Sequence, residues 1–378
     1  LGGTAVAHGT GARRIGGGAV RDGGAAYDPA TGRWHPIAPA PVGVRPAGAA
    51  SVWTGRQLFV FAGATDAGAA RAAVAGLYDP ATDSWTVTGP APLRPFGSSG
   101  EAVWTGRQVI VAGLSYDQAR LEVAAYDPAS GVWSELEPPI VRRHPPEGFA
   151  IVATSDGVLL WSLWGRQQRT GRTYTDHSGV DVFRLGADGS WRNVTGGWPQ
   201  GETVAAPIFT GTEILLAPGQ EWCGPCSPPA PSDANGYAVD PATLRITEIP
   251  HGPLDDLGPQ VLWTGADVLS FNWGGFQGGP GASRVLPGDV ALWSPRTRRW
   301  ARGPHPPLPA GDLPAVWAAG RLYVLADRGG LEAYRPGTGR GAGRARVRLG
   351  VRRPRVTSPT VTTLGRSILM TDSVIMGR

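Results

Sequence analysis

Lysine is absent: all 35 basic residues of the 378-residue chain are arginine. Cysteine is scarce, with two residues, and so is histidine, with six. Two cysteines cannot build a disulfide-dense scaffold, and without a partner pair they do not complete a structural zinc site. No stretch approaches the ~18–20 consecutive apolar residues of a membrane-spanning helix. No amphipathic run of helical period reaches useful length. A Ser-nucleophile elbow, a phosphate-binding loop, a zinc-binding helix motif and a calcium loop are all missing. These absences exclude a helix-built fold and the enzyme classes that those motifs mark.

What fills the chain instead is glycine, proline and tryptophan, at 57, 36 and 15 residues. The glycines and prolines fall at turns between short apolar runs, which is the composition of an all-β globular protein. One motif recurs: Tyr27-Asp28-Pro29-Ala30-Thr31-Gly32-Arg33-Trp34, Tyr78-Asp79-Pro80-Ala81-Thr82-Asp83-Ser84-Trp85 and Tyr126-Asp127-Pro128-Ala129-Ser130-Gly131-Val132-Trp133. Weaker copies end at Trp191, Ile246 and Trp300, and Tyr334-Arg335-Pro336 opens a seventh that lacks its Trp. From Trp34 to Trp300 the steps are 51, 48, 58, 55 and 54 residues. A period in this range marks one supersecondary unit copied along an array.

A second motif interleaves with it. Val52-Trp53-Thr54-Gly55 precedes Leu58-Phe59-Val60-Phe61, and Val103-Trp104-Thr105-Gly106 precedes Val109-Ile110-Val111, with further copies to the end of the chain. Two short apolar runs around a Gly-containing turn are a hairpin signature. Each repeat therefore holds an inner hairpin closed by Thr-Gly and an outer hairpin closed by Asp-Pro. The expected fold is all-β, a seven-bladed β-propeller of four-stranded antiparallel blades. Because the chain starts with an outer pair and ends with an inner one, pairing of about 359–372 with about 19–36 would close the ring. Six or eight blades stay open, since Gly-rich residues 1–24 leave room for a further inner pair. Residues 1–378 are expected to form one domain, with 1–18 disordered or truncated.

The repeats resemble kelch-type blades, the group that includes the propeller of galactose oxidase. The matching residues are Tyr27 and Trp34, Tyr78 and Trp85, and Tyr126 and Trp133 about the turn, with Gly63 and Gly113 after the second strand. The usual double glycine is reduced to single residues, so the match is to a divergent member. It covers about residues 19–373. The Gly-His and Trp-Asp signals of WD40 blades are absent. The copper centre of galactose oxidase, built from two Tyr, two His and a Tyr-bonded Cys, cannot be carried over to any residue here, and no cofactor is expected.

The formal charge of +5 conceals an asymmetry. Residues 335–355 carry eight arginines and no acid, and the remainder has 27 Arg against 30 Asp and Glu. Such a strip suits a polyanion, or it is an outer edge strand guarded by charge against edge pairing. Aromatic residues are not interleaved with it, so nucleic acid is not the expected partner. Cys223 and Cys226 stand in Trp222-Cys223-Gly224-Pro225-Cys226. Ser227-Pro228-Pro229-Ala230-Pro231 follows, so no helix can lower the thiol pKa as thioredoxin-type chemistry requires. A structural disulfide is expected, which points to an oxidising, extracytoplasmic location. Leu1 leaves room for a targeting segment upstream.

Loop lengths separate two ends of a blade. The turns between strands 1–2 and 3–4 are tight, whereas the 2–3 and 4–1 connections are long, at 63–76, 161–181, 217–236 and 271–289 for example. Long variable loops on a rigid scaffold are where binding resides. Candidate ligand-binding residues on that side are Arg45, Arg94, Arg143, His144 and His251, with Trp164, Arg166, Tyr174, Asp176 and His177 from one loop and Trp222 and Trp273 from others. Arginines there suit carboxylate, sulfate or phosphate groups, or else they pair with acids such as Glu101 and Glu147. The expected function is a binding scaffold for a protein or glycan, without chemistry and as a monomer. The alternative is an enzyme acting on an acidic sugar at the channel mouth.

Overall fold

The computed structural model describes residues 25–31, 33–41, 50–62, 74–93, 96–115, 120–141, 146, 148–170, 173–196, 207–216, 236–250, 252–253, 260–271, 276–277, 284–285, 290–303, 315–326, 330–336, 344–347, 360–364 and 367–371. They form thirty strands, β1–β30 in chain order, and no helix among the described residues.

The chain divides into two compact units, one of residues 40–216 and 237–248. It carries four antiparallel sheets of four strands, each in simple up-and-down order. They are β3 (Ala50–Trp53), β4 (Leu58–Ala62), β5 (Val74–Asp79) and β6 (Ser84–Val87), then β7 (Phe96–Trp104), β8 (Val109–Ser115), β9 (Leu121–Asp127) and β10 (Val132–Leu136). Next come β11 (Gly148–Thr154), β12 (Gly157–Thr170), β13 (Thr173–Leu185) and β14 (Trp191–Asn193), and finally β15 (Ile208–Phe209), β16 (Ile214–Leu216), β17 (Gly236–Val239) and β18 (Ile246–Ile249).

The other unit holds residues 1–39, 217–236 and 249–378. One sheet is β19 (Gln260–Trp263), β20 (Val268–Phe271), β23 (Val290–Ser294) and β24 (Arg299–Arg302), with a small hairpin, β21 (Phe276–Gln277) and β22 (Arg284–Val285), inserted in its 2–3 connection. Another is β25 (Ala315–Ala318), β26 (Arg321–Ala326), β27 (Gly330–Tyr334) and β28 (Arg344–Val347). The last joins the two ends of the described chain: β29 (Thr360–Leu364) and β30 (Ser367–Thr371) continue into β1 (Ala25–Asp28) and β2 (Arg33–Pro36), with Tyr27 opposite Ile368. Six four-stranded sheets are each built from one continuous segment, and a further one is composite, joining strands from the two ends of the described chain. These are propeller-type blades.

Turn chemistry explains why the motifs recur. In the inner hairpin the Thr54 amide donates to the Gln57 carbonyl at 2.9 Å, and the Thr54 hydroxyl accepts from the Gln57 amide at 3.0 Å. Gly55 stands between them at φ 92°, as does Gly106 in the next sheet, a conformation that penalises a Cβ. In the outer hairpin Asp79 Oδ1 accepts from the Ala81 amide at 2.9 Å, an Asx turn that Pro80 presets. Arg56 of the inner turn reaches Asp79 of the outer turn at 3.6 Å, so both tight turns lie at one end of the sheet.

Strand alternation then builds the packing. Phe59, Phe61, Leu77 and Ala50 face Ala102, Val109, Val111 and Tyr126 in one dry layer between consecutive sheets. Ile110, Leu114 and Val123 meet Phe149, Ile151, Leu160 and Phe183 in the next layer. The motif's Tyr and Trp are cross-strand partners: Tyr126 opposes Trp133 with ring centroids 5.0 Å apart, and Trp133 leans edge-on against Phe61 of the preceding sheet at 5.9 Å. The β9–β10 hairpin thus carries the plate that clamps it to the preceding sheet.

One expectation is corrected. Residues 161–181 are not an irregular loop: β12 and β13 continue through them, in register as far as Thr170 opposite Thr173. Trp161, Val180, Val182 and the threonines near the tip favour an extended pair, which the polar Arg and Gln residues between them disguise.

Candidate functional site

Neighbouring sheets within each unit approach one another along their first strands: β7 meets β3 and β11, and β25 meets β19 and β29. These strands form the inner edges of the blades. Their described sequences are apolar, small or neutral, with one exception: Glu101 is the single charged residue on β3, β7, β11, β15, β19, β25 and β29. Trp53, Ala153 and Trp263 occupy the place of Trp104 at the tight turn. Three residues back from them stand Ala50, Ala150 and Gln260, where this sheet has Glu101. The fold does not require a carboxylate there.

Local geometry singles out the same residue. The β7–β8 register shifts between Phe96 and Gly100, immediately before Glu101. Such irregularities bend a strand and re-aim side chains, and they gather beside functional sites. Glu101 shares a face of β7 with Val103, which packs into the layer shared with β11 and β12. Its Oε2 accepts the Ile151 amide of β11 at 2.9 Å. An edge strand carries unpaired N–H groups, and the carboxylate satisfies one of them across the gap. Burial pushes the Glu101 carboxyl up to about 7 from an ordinary 4.5, against the opposing pull of the Ile151 hydrogen bond. A partly exposed carboxyl poised near neutrality can either donate or accept a proton in a hydrogen bond with a ligand.

The residues expected from sequence to gather at the long-connection end are distributed unevenly. Arg166 stands opposite His177, and Trp164 opposite Gly179, on the β12–β13 ribbon. Tyr174 pairs with Arg169 and Asp176 with Gln167 on the same ribbon. The five are therefore brought onto one hairpin. Arg45, Arg94, Arg143, His144, His251, Trp222, Trp273, Cys223 and Cys226 lie outside the described residues. The sequence suggests Glu101 only as an ion-pair partner for arginines that lie outside the described residues; among the described ones it accepts the Ile151 amide. The available signal was a lone acid in a strand whose repeats carry Ala or Gln. Among the described residues no cluster of His, Cys, Asp and Glu could hold a metal ion. No helix among them is long and apolar enough to cross a membrane.

Fold and site define an all-β protein of propeller-type blades with one ionisable group on the described inner strands. No protein-family model matches the chain, and no curated protein matches it either.

Proposed function

We propose that the chain is a kelch-type propeller that serves as a binding scaffold. Its ligand, a glycan or a protein, is met by the inner strands and the long 2–3 and 4–1 connections. The carrying observation is Glu101, a carboxylate placed by a strand irregularity on an inner edge where the other repeats are uncharged. In a closed ring the first strands line the central channel, so Glu101 would present its second oxygen there. Ligand hydroxyls suit a group of this kind, which favours a glycan over an apolar ligand. An enzyme acting on an acidic sugar is the second reading, favoured by the one fact that Glu101 titrates at about 7, where general acid–base work is efficient.

The test is a thermal-shift series on the full chain with neutral and acidic oligosaccharides. A ligand at ~100 times its Kd stabilises by about 2.7 kcal/mol. The expected result is a shift lost in Glu101→Gln and weakened in Arg94→Ala. A shift identical in wild type and Glu101→Gln for every ligand would remove Glu101 from the site. Turnover of a bound acidic sugar, abolished in the same variant, would select the enzyme over the scaffold. An oxidising, extracytoplasmic location follows from pairing Cys223 with Cys226. Thiol titration of the native protein should then detect no free thiol, and detection of both without reductant would refute the pairing.

A further inference from the structure

Four outer turns share one construction. Asp28, Asp79, Asp127 and Asp240 each accept from the amide two residues on, at 2.8–2.9 Å. The β13–β14 turn lacks that Asp, and two consecutive sheets lack it as well. The β23–β24 turn has Ser294 before Pro295, and the β27–β28 turn has Arg335 before Pro336. Arginine also enters a position of special backbone. Two residues before the motif's Trp, or before Ile246 in its place, the chain is left-handed, at Asp83 (φ 48°), Gly131 (φ 72°), Leu244 (φ 58°) and, in the β23–β24 turn, Arg298 (φ 51°). A long side chain is strained there, whereas Gly is at ease. Losing the Asp acceptor runs against the local preference of the turn, whereas a long side chain at the left-handed position is shared with Leu244.

Charge accumulates in the same place. Arg296, Arg298, Arg299 and Arg302 are all exposed, and no acidic residue occurs between positions 290 and 311. Arg298 lies over the Trp293 ring at 5.8 Å, and Arg302 donates to the Pro253 carbonyl at 2.5 Å, so the group is held rather than loose. The next sheet packs against this one through Phe271, Val290, Leu322 and Val324. Its outer edge strand β28 includes Arg344 and Arg346, the latter opposite the buried Glu332 of β27. The unit containing both sheets has 21 Arg against 12 Asp and Glu, a net of +9, whereas the other unit has 14 against 18, a net of −4.

We propose that the outer edge of these two sheets, the β23–β24 hairpin and the edge strand β28, binds a linear acidic polysaccharide through its carboxylate or sulfate groups. Arginine forks hold such oxygens in pairs, and arginines spread over two neighbouring edges match charges repeated along a chain. Other polyanion-bearing partners fit less well. A protein interface would want an apolar or aromatic anchor, and a membrane would want an insertable side chain. The large apolar residues exposed among the described ones, Val87, Val132 and Ile140, all belong to the other unit. Single-stranded nucleic acid would want exposed aromatic rings, but Trp293 is buried and Trp300 half-buried.

The experiment passes the full chain over immobilised alginate and heparin, with dextran as the neutral control, across a NaCl series. Retention on both acidic chains is expected, falling steeply with salt, and none on dextran. The Arg299→Ala/Arg302→Ala pair should weaken binding about tenfold, the loss of roughly one charge-assisted contact. Ser294→Asp restores the turn of the other repeats, so it should keep or raise the melting temperature while weakening binding. Glu101→Gln should leave retention unchanged, which separates this surface from the inner-strand site. Equal retention on dextran, or unchanged affinity in both rim variants, would overturn the surface. Tighter binding to single-stranded DNA or to phosphatidylserine vesicles at equal salt would overturn the polysaccharide as its partner.

Discussion

Glu101 shows how one residue can depart from a repeat without disturbing it. Its carboxyl is held near 7, above the range of an unfolded glutamate, because burial disfavours the charge. A group whose folded pKa is raised favours the fold while protonated. That contribution is complete below the unfolded value and is lost as pH rises through about 7. Glu101→Gln keeps an acceptor for the Ile151 amide but cannot ionise. The variant is therefore expected to match wild type near pH 4 and to exceed it at pH 8 by on the order of 1–3 kcal/mol. Parallel melting-temperature profiles for the two proteins from pH 4 to 9 would show that the carboxyl titrates alike folded and unfolded. This residue was not legible as a site in sequence. A single acid in an apolar strand is noticed only once the register reveals which repeat positions it replaces.

Strands and turns were far more legible, because their chemistry repeats. The Thr-Gly turns and the Asp-Pro turns announce two hairpins per unit, and both are closed by the hydrogen bonds those residue types supply. Where Tyr and Trp flank an outer turn, as Tyr78 with Trp85 and Tyr126 with Trp133, they become a cross-strand pair, and Trp133 packs against the preceding sheet. The long β12–β13 ribbon was missed because its distal half is polar and lacks the apolar alternation that marks a half-buried strand. Trp133 tests the clamp. It touches Tyr126, Phe59 and Phe61, and its indole N–H donates to Thr88 Oγ1 at 3.3 Å. Trp133→Ala should cost about 3 kcal/mol in denaturant unfolding, since truncating a large ring leaves a cavity between two sheets. Trp133→Phe should recover more than half of that, because the ring contacts survive while the indole hydrogen bond does not. Equal losses in the two variants would assign the clamp to the hydrogen bond.

Repeat arrays are stabilised by neighbour contacts, so a chain whose ends share one sheet gains what a linear array lacks at its caps. β1 and β2 pair with each other, and β1 takes as its inner partner β30, more than 300 positions away. Tyr27 is buried, with its ring 5.7 Å from that of Tyr323 in the adjacent sheet, so the composite sheet is packed as well as paired. Long-range pairing of this kind forms late, because its loop-closure entropy must be met before the contacts reward it. Removal of residues 359–378 tests what the composite sheet contributes. Amide hydrogens of Ala25–Asp28 should be protected in the full chain to a degree comparable with β4 and β8, and should exchange freely in the truncated chain. Protection in β7–β14 should persist, since those sheets are bound to one another through layers that the deletion does not touch. If Ala25–Asp28 stays protected without β30, the pairing is dispensable and the outer hairpin is held by packing against β25–β28 alone. If β7–β14 lose protection as well, the molecule unfolds as one cooperative body, and the composite sheet governs the stability of the whole.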